Sequence, residues 1–343
     1  MRTLLNTLFV QTERSYLHLD HDTVRVEIER ETRLRVPLLQ VGGIVCFGDV
    51  LTSPALLHRC ADDGRPVVWL TRHGQFKARL EGPHSGNVLL RRAHHLALSD
   101  PERRRDIGRN LLAGKFRNCR NVLLRGAREA TDAAEAATLR EAADLHKSIV
   151  ERLPRRDDLD LMRGDEGEAA RAYFDVLPLL VRVRRDLFAP DGRSRRPPRD
   201  RMNALLSFLY TLLRADCVAA LEGVGLDPQI GFFHALRPGR PALALDLMEE
   251  LRPATADRLA LALVNRGQLG EDDFEAHPGG AVYLSEQGRR TVIVAYQTRK
   301  QDEVEHRAAG QRAPLGLVPH LQARILARHL RNDLPHYAPW LTR

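Results

Sequence analysis

The stretch Gly231 to Pro253, GFFHALRPGRPALALDLMEELRP, sets His234, Asp246 and Glu249 among apolar residues suited to hold them still. From Pro241 to Leu251, the apolar positions Leu245, Met248 and Leu251 recur at helical spacing. On that helix Asp246 and Glu249 stand three apart and share a face. An imidazole and two carboxylates can together hold a divalent cation. An amphipathic helix with a solvated acidic face would carry the same pattern, and this stretch alone does not separate the two.

Upstream, Arg201 to Ala220 (RMNALLSFLYTLLRADCVAA) is the most apolar helical pattern and reads as a core helix, with Asn203 near its start. Before it, Arg182 to Arg201 holds eight arginines against three aspartates, with Pro190, Gly192 and Pro197-Pro198. That is a basic, breaker-rich loop, either solvated or gripping phosphate. Leu161 to Asp175 reads as a helix capped at Gly164-Asp165, which puts Glu166 in its first turn, where the helix dipole favours acids. Leu89 to Leu98, Ile107 to Leu124 and Ala133 to Leu153 are further helical patterns. Downstream, Ala254 to Asn265 and Leu317 to Leu330 are helical, Ala281 to Leu284 and Thr291 to Tyr296 are apolar, and Val304 to Pro314 is polar.

The start of the chain differs. Leu4 to Val10, Tyr16 to Leu19, Thr23 to Ile28 and Arg33 to Pro37 are strand-like runs between polar turns. Val41 to Phe47 and Pro66 to Leu70 read as buried strands, and Phe76 to Leu80 closes the set. Ser53-Pro54 opens a helix through Cys60. The fold class is therefore α+β: a small β-rich domain over residues 1–82, a linker at 83–88 marked by Gly82-Pro83 and Ser85-Gly86, and a larger all-α catalytic domain over 89–343. His18, His21, His58 and His73 stand alone in the first part, which reads as a scaffold for self-association.

Composition bounds the function. The chain has 343 residues and a net charge of +8, with only four lysines, so its positive charge is nearly all arginine. A basic balance suits a polyanion partner, and arginine suits bidentate phosphate contacts. Cys46, Cys60, Cys119 and Cys217 show no zinc spacing and read as buried free thiols in a reducing compartment. No apolar run approaches the ~18 residues of a membrane span, and MRTLLNTLFVQTERSY reads as a first strand and not a signal peptide. The expected location is the cytoplasm. No P-loop, GxGxxG turn, GxSxG elbow or HExxH helix is present. Glu166, His234 and Glu249, with Asp246 adjacent, would supply oxygen and imidazole ligands for Mg²⁺ or Mn²⁺. Such an ion serves phosphodiester chemistry, with Arg237, Arg240 and Arg252 beside it for phosphate.

RGDEGEAARAYF (Arg163 to Phe174), RMNALLSFLYTLL (Arg201 to Leu213) and IGFFHALRPGRPALALDLMEELRP (Ile230 to Pro253) resemble the successive signature blocks of the CRISPR-associated spacer-acquisition integrase, the Cas protein numbered one. LVPHLQARILARHLRNDLPHYAPW (Leu317 to Trp340) resembles its type I-C tail. The resemblance spans essentially the whole chain. It implies a metal-dependent DNA endonuclease and integrase that inserts short foreign fragments as spacers by transesterification. By position in the blocks it implies Glu166, His234 and Glu249 as catalytic metal ligands, Asp246 as a supporting carboxylate, and Asn203 as a structural or substrate-orienting residue. It further implies homodimerisation through the first domain, prespacer and repeat DNA as substrates, a small ferredoxin-like Cas partner numbered two, and an iron–sulphur trimming nuclease. Arg193, Arg195 and Arg196 are expected to join Arg237, Arg240 and Arg252 on DNA. The competing readings are a non-catalytic DNA-binding scaffold, whose acids only cap helices and face solvent, and a hydrolase of a small phosphoester.

Overall fold

The computed structural model describes residues 6–74, 76–80, 82 and 88–342. Its first part is strand-rich because short β-branched and aromatic runs alternate with polar turns. Strands β1 (Asn6–Val10), β2 (Tyr16–Asp20), β3 (Thr23–Ile28), β4 (Glu31–Pro37), β5 (Val41–Phe47) and β6 (Leu51–Thr52) precede helix α1 (Pro54–Asp62), and β7 (Val67–Leu70) and β8 (Phe76–Arg79) follow it. Two four-stranded sheets result. One has the order β1-β5-β7-β8, parallel through β7 and antiparallel at β8. The other has the order β4-β3-β2-β6, an antiparallel meander with β6 added parallel to β2. Ser53 caps α1 by accepting the Leu56 N–H, and Pro54 opens the helix.

β5 and β7 are continuously apolar because both their faces are covered. Ile44, Cys46 and Val67 pack with Leu17, Val24, Leu56 and Cys60 in a core of the strand-rich part. Val45, Phe47, Val68 and Leu70 belong instead to the main helical core. Phe47 meets Phe208 with ring centroids 5.9 Å apart. A side chain at Gly74 would stand 2.6 Å from the same Phe208 ring, and the turn there has φ +83°, so glycine serves both needs. The expected linker at 83–88 lies outside the described residues except Val88, which begins the first helix beyond it.

The second part comprises α2 (Val88–Ser99), α3 (Pro101–Glu129), α4 (Ala133–Arg152), α5 (Leu159–Asp175), the single turns α6 (Leu177–Leu180) and α7 (Arg185–Phe188), α8 (Arg201–Glu222), α9 (Ala242–Leu251), α10 (Arg258–Asn265), α11 (Glu286–Lys300) and α12 (Val318–Leu330). A π-helical turn at Pro253–Asp257 joins α9 to α10. The helical part, expected to be all-α, also carries two short hairpins, β9 (Phe274–His277) with β10 (Ala281–Leu284) and β11 (Glu303–His306) with β12 (Gln311–Pro314). Thr291 to Tyr296 lies within α11.

α8 is the core helix, with Leu205, Leu209, Cys217 and Leu221 fully buried. By length and composition its 22 residues would suffice to cross a membrane, but 56% of its apolar window is buried inside the fold. α5 also departs from expectation. It starts at Leu159, capped by Asp158 through the Asp160 N–H, so Glu166 sits mid-helix and not in the first turn. Gly164 and Gly167 cost the helix about 1 kcal/mol each, and packing of Met162, Ala169 and Tyr173 outweighs this. All four cysteines are free and buried.

Candidate active site

α9 settles the alternative left open by its sequence. Asp246, Glu249 and Glu250 are all buried, at 0%, 2% and 0% exposure, so its acids are not a solvated face. Their partners assign each a different task.

Asp246 holds the loop that carries His234. Its Oδ2 accepts the N–H groups of Phe232 at 2.6 Å and Phe233 at 3.0 Å, and its Oδ1 accepts the His234 N–H at 2.9 Å. The same Oδ1 lies 2.6 Å from His234 Nδ1. Nδ1 thus carries the proton, and Nε2 is left to face Glu249 Oε1 at 3.7 Å. The loop approaches α9 so closely that a Cβ on Gly231 would stand 2.8 Å from Asp246 Oδ2 and 2.7 Å from the Ala242 carbonyl carbon. The loop's carbonyls are held as well. Arg104 donates to Phe232 O at 2.9 Å, Arg163 to Phe233 O at 3.1 Å, and His94 Nε2 to Ile230 O at 2.8 Å.

Glu249 sits between cations. Arg252 is 2.7 Å from its Oε1, one helical turn on, and Lys115 Nζ is 2.7 Å from its Oε2. Burial alone would raise the Glu249 carboxyl, but Arg252, then Lys115 and His234, hold it well below the ordinary carboxylate range. Lys115 is the cation that faces Oε2. Lys115 comes from the buried face of α3 and also donates to Glu166 Oε1 at 2.5 Å. The ammonium therefore bridges the two carboxylates that α5 and α9 bring from distant parts of the chain. Burial opposes its charge, and Glu249 and Glu166 more than restore it, so its pKa is raised.

Lys115 was not among the sequence-derived candidates. The signal that could have found it is its position, a lone lysine on the apolar stripe of Leu111, Leu112, Phe116 and Cys119 in a chain that otherwise uses arginine. Glu166 is 30% exposed and opens the site to solvent. Its neighbours are occupied elsewhere. Asp165 is buried and paired with Arg152 and Arg156, each at 2.8 Å, and Glu168 pairs with Arg152.

The donor set suits a hard divalent cation: two carboxylates that share one ammonium, and an imidazole nitrogen turned toward one of them. As the side chains stand, no group of three His, Cys, Asp or Glu residues converges on a metal position among the described residues. Lys115 Nζ lies in the gap between the carboxylates.

Behind Glu249, Asp257 accepts from Tyr210 OH at 2.7 Å and Tyr173 OH at 3.1 Å, and burial pushes its carboxyl up to about 6. Glu250 faces the other way. It accepts from Tyr337 OH, Gln322 Nε2 and the Trp340 N–H, which ties the C-terminal tail to α9. Burial pushes its carboxyl up to about 8.

The six arginines expected on DNA divide. Arg252 pairs with Glu249 and lies over the Tyr210 ring at 5.2 Å. Arg193 is likewise engaged within the fold. It donates to Asn203 Oδ1 at 2.6 Å and lies over Phe174 and Tyr210 at 5.7 and 5.5 Å. Asn203 thereby serves as a structural anchor, also donating to Gly192 O at 2.9 Å. Arg195, Arg196 and Arg237 are exposed and Arg240 is half-buried. Burial, then the charges of Arg237 and later Arg196, pull the Arg240 guanidinium below its usual range, so arginines from two separate loops gather near the site.

The profile of the family described as CRISPR associated protein Cas1 matches residues 8–298. The chain belongs to the Cas1 family. It is 54% identical over 343 residues to the CRISPR-associated endonuclease Cas1 1 of Moorella thermoacetica, covering 100% of both chains. Solved structures share the Cas1 fold at lower identity. A casposase bound to integration product aligns at 21% identity with a TM-score of 0.83, over 97% of this chain and 93% of that one. A Cas6-RT-Cas1–Cas2 complex aligns at 22% identity with a TM-score of 0.84, over 99% of this chain and 36% of that one.

Proposed function

We propose that this chain is a metal-dependent DNA endonuclease and integrase that inserts short DNA fragments as new spacers into a CRISPR array by transesterification. The observation that carries the reading is the pairing of Glu166 with Glu249 around one cationic position, with His234 Nε2 facing the other oxygen of Glu249. Mg²⁺ or Mn²⁺, when bound there, would polarise the phosphoryl oxygen and stabilise the leaving oxygen. The chain's own residues do the rest. Asp246 fixes the His234 tautomer and the loop that bears it. Arg252 keeps Glu249 ionised and aligned. Arg195, Arg196, Arg237 and Arg240 supply cations along the DNA backbone.

The endonuclease name of a 54% identical relative supports the reading, as does the likeness in fold to a casposase caught with its integration product. A non-catalytic scaffold would need acids that only cap helices and face solvent, and the burial of Asp246 and Glu249 argues against that premise. The partners we propose are a second copy of this chain, met through the strand-rich part, the small Cas2 protein, and an iron–sulphur trimming nuclease. The proposed location is the cytoplasm. The test is strand transfer of a short duplex into a repeat-bearing plasmid with Mn²⁺, with and without Cas2. Joined product is expected from the wild type and none from Glu166→Gln. Equal joining by that variant, or no joining under any condition, would overturn the assignment.

A further inference from the structure

We propose that Lys115 is a built-in counter-cation for the metal site: its ammonium and a divalent ion compete for Glu166 and Glu249, so the ion is held tightly only once DNA phosphate is present. The inference rests on the metal reading above. Its geometric basis is the bridge itself, with Nζ 2.5 Å from Glu166 Oε1 and 2.7 Å from Glu249 Oε2. Those distances leave the ammonium between the two carboxylates that would hold a divalent ion. The bridge also accounts for the lack of a converged ligand group among the described residues.

Charge completes the argument. Lys115 and Arg252 already balance Glu166 and Glu249 in a pocket where Lys115 and Glu249 are only 10% and 3% exposed. A divalent ion entering alone leaves this buried set with two uncompensated positive charges, which is costly away from water. A phosphodiester drawn in by Arg196, Arg237 and Arg240 supplies one of the two missing negative charges. It also gives the displaced ammonium a new partner. Metal and DNA then bind cooperatively, and the coupling is reciprocal.

The test is titration of the full chain with Mn²⁺, read from the free-ion paramagnetic resonance signal. It is run with and without a short duplex whose 3′ ends lack hydroxyls. The wild type should bind Mn²⁺ at least about tenfold more tightly with the duplex than without it. Lys115→Met should bind Mn²⁺ without DNA at least about tenfold more tightly than the wild type, with most of the gain from DNA lost. Lys115→Gln, which keeps a polar group between the carboxylates, should move the same way. Should the methionine variant fail to fold, the glutamine variant decides. A second readout is thermal unfolding, in which Mn²⁺ should raise the melting temperature of either variant more than that of the wild type.

The proposal is overturned if the Lys115 variants bind Mn²⁺ no more tightly than the wild type while Glu249→Gln abolishes binding, an outcome that leaves the metal site standing. Binding indifferent to Glu249→Gln in every background would instead remove the metal site, and the proposal with it.

Discussion

Replacing Asp246 by Asn separates two roles that one carboxylate beside a metal site can have. The carboxylate receives four contacts: three backbone N–H groups at 2.6, 3.0 and 2.9 Å, and His234 Nδ1 at 2.6 Å. An amide keeps one acceptor oxygen and turns an NH₂ toward donors on the other side. Whichever way it is placed, either the Phe232 and Phe233 N–H groups or the two His234 donors lose their acceptor. Hydrogen bonds to a charged group are worth about 1.5–3 kcal/mol each. Two lost contacts therefore cost roughly 3 kcal/mol after loop relaxation, or a fall of about 4 °C in melting temperature for a chain of this size. The assay is thermal unfolding without metal, beside Mn²⁺ binding and strand transfer. Asp246→Asn should unfold early without metal and lose strand transfer because His234 is no longer aimed. A variant with wild-type melting but greatly weakened Mn²⁺ binding would refute the reasoning and make Asp246 a ligand.

Three further outcomes follow from the same geometry. Glu166→Gln should abolish strand transfer with little change in melting, since Glu166 is part-exposed; Glu249→Gln should abolish it with a clear loss of stability, because Lys115 and Arg252 lose a buried counter-charge, and active Glu249→Gln protein would sink the site. Changing Arg196, Arg237 and Arg240 to Gln should flatten the salt dependence of DNA binding by about one unit of slope per lost phosphate contact. Arg193→Gln should instead lower stability and spare the slope, and the reverse pattern would return Arg193 to the interface. Asp257 keeps its proton to about pH 6 in the fold against 3.8 in the unfolded chain, so its contribution is complete below about pH 4 and is lost as pH rises through about 6. Urea unfolding should show the wild type losing up to about 3 kcal/mol relative to Asp257→Asn across that window, and parallel profiles would refute the shift.

Much of this molecule was legible from one strand of residues. The strand runs of the first part, the Ser53 cap and the core helix at Arg201 follow from local periodicity and turn chemistry, and the structure has them. Glu166 was placed in the right helix but at the wrong depth. Gly164-Asp165 reads as a start signal, whereas Asp158 caps the helix and buried side chains carry it through. The division of the arginines was not legible. Arg193 and Arg252 look like any cations in a basic stretch, and only folding shows Tyr210, Phe174 and Glu249 waiting for them. Glu250 is a similar case, since its partners Gln322, Tyr337 and Trp340 lie far along the chain.

The three acids of α9 show why spacing alone could not assign the site. Each is buried, and each has a different neutralising environment. Asp246 receives N–H donors and an imidazole, Glu249 receives two full cations, and Glu250 receives neutral donors that leave burial dominant. Only the second pairs with a lysine side chain that another cation can replace; backbone donors around Asp246 cannot leave without the loop moving. On the proposed reading, the replaceable partner, and not the carboxylate alone, would make Glu249 the place for metal. By that criterion Glu166 is its natural companion, because it shares the same lysine and meets solvent, from which both ion and DNA must come.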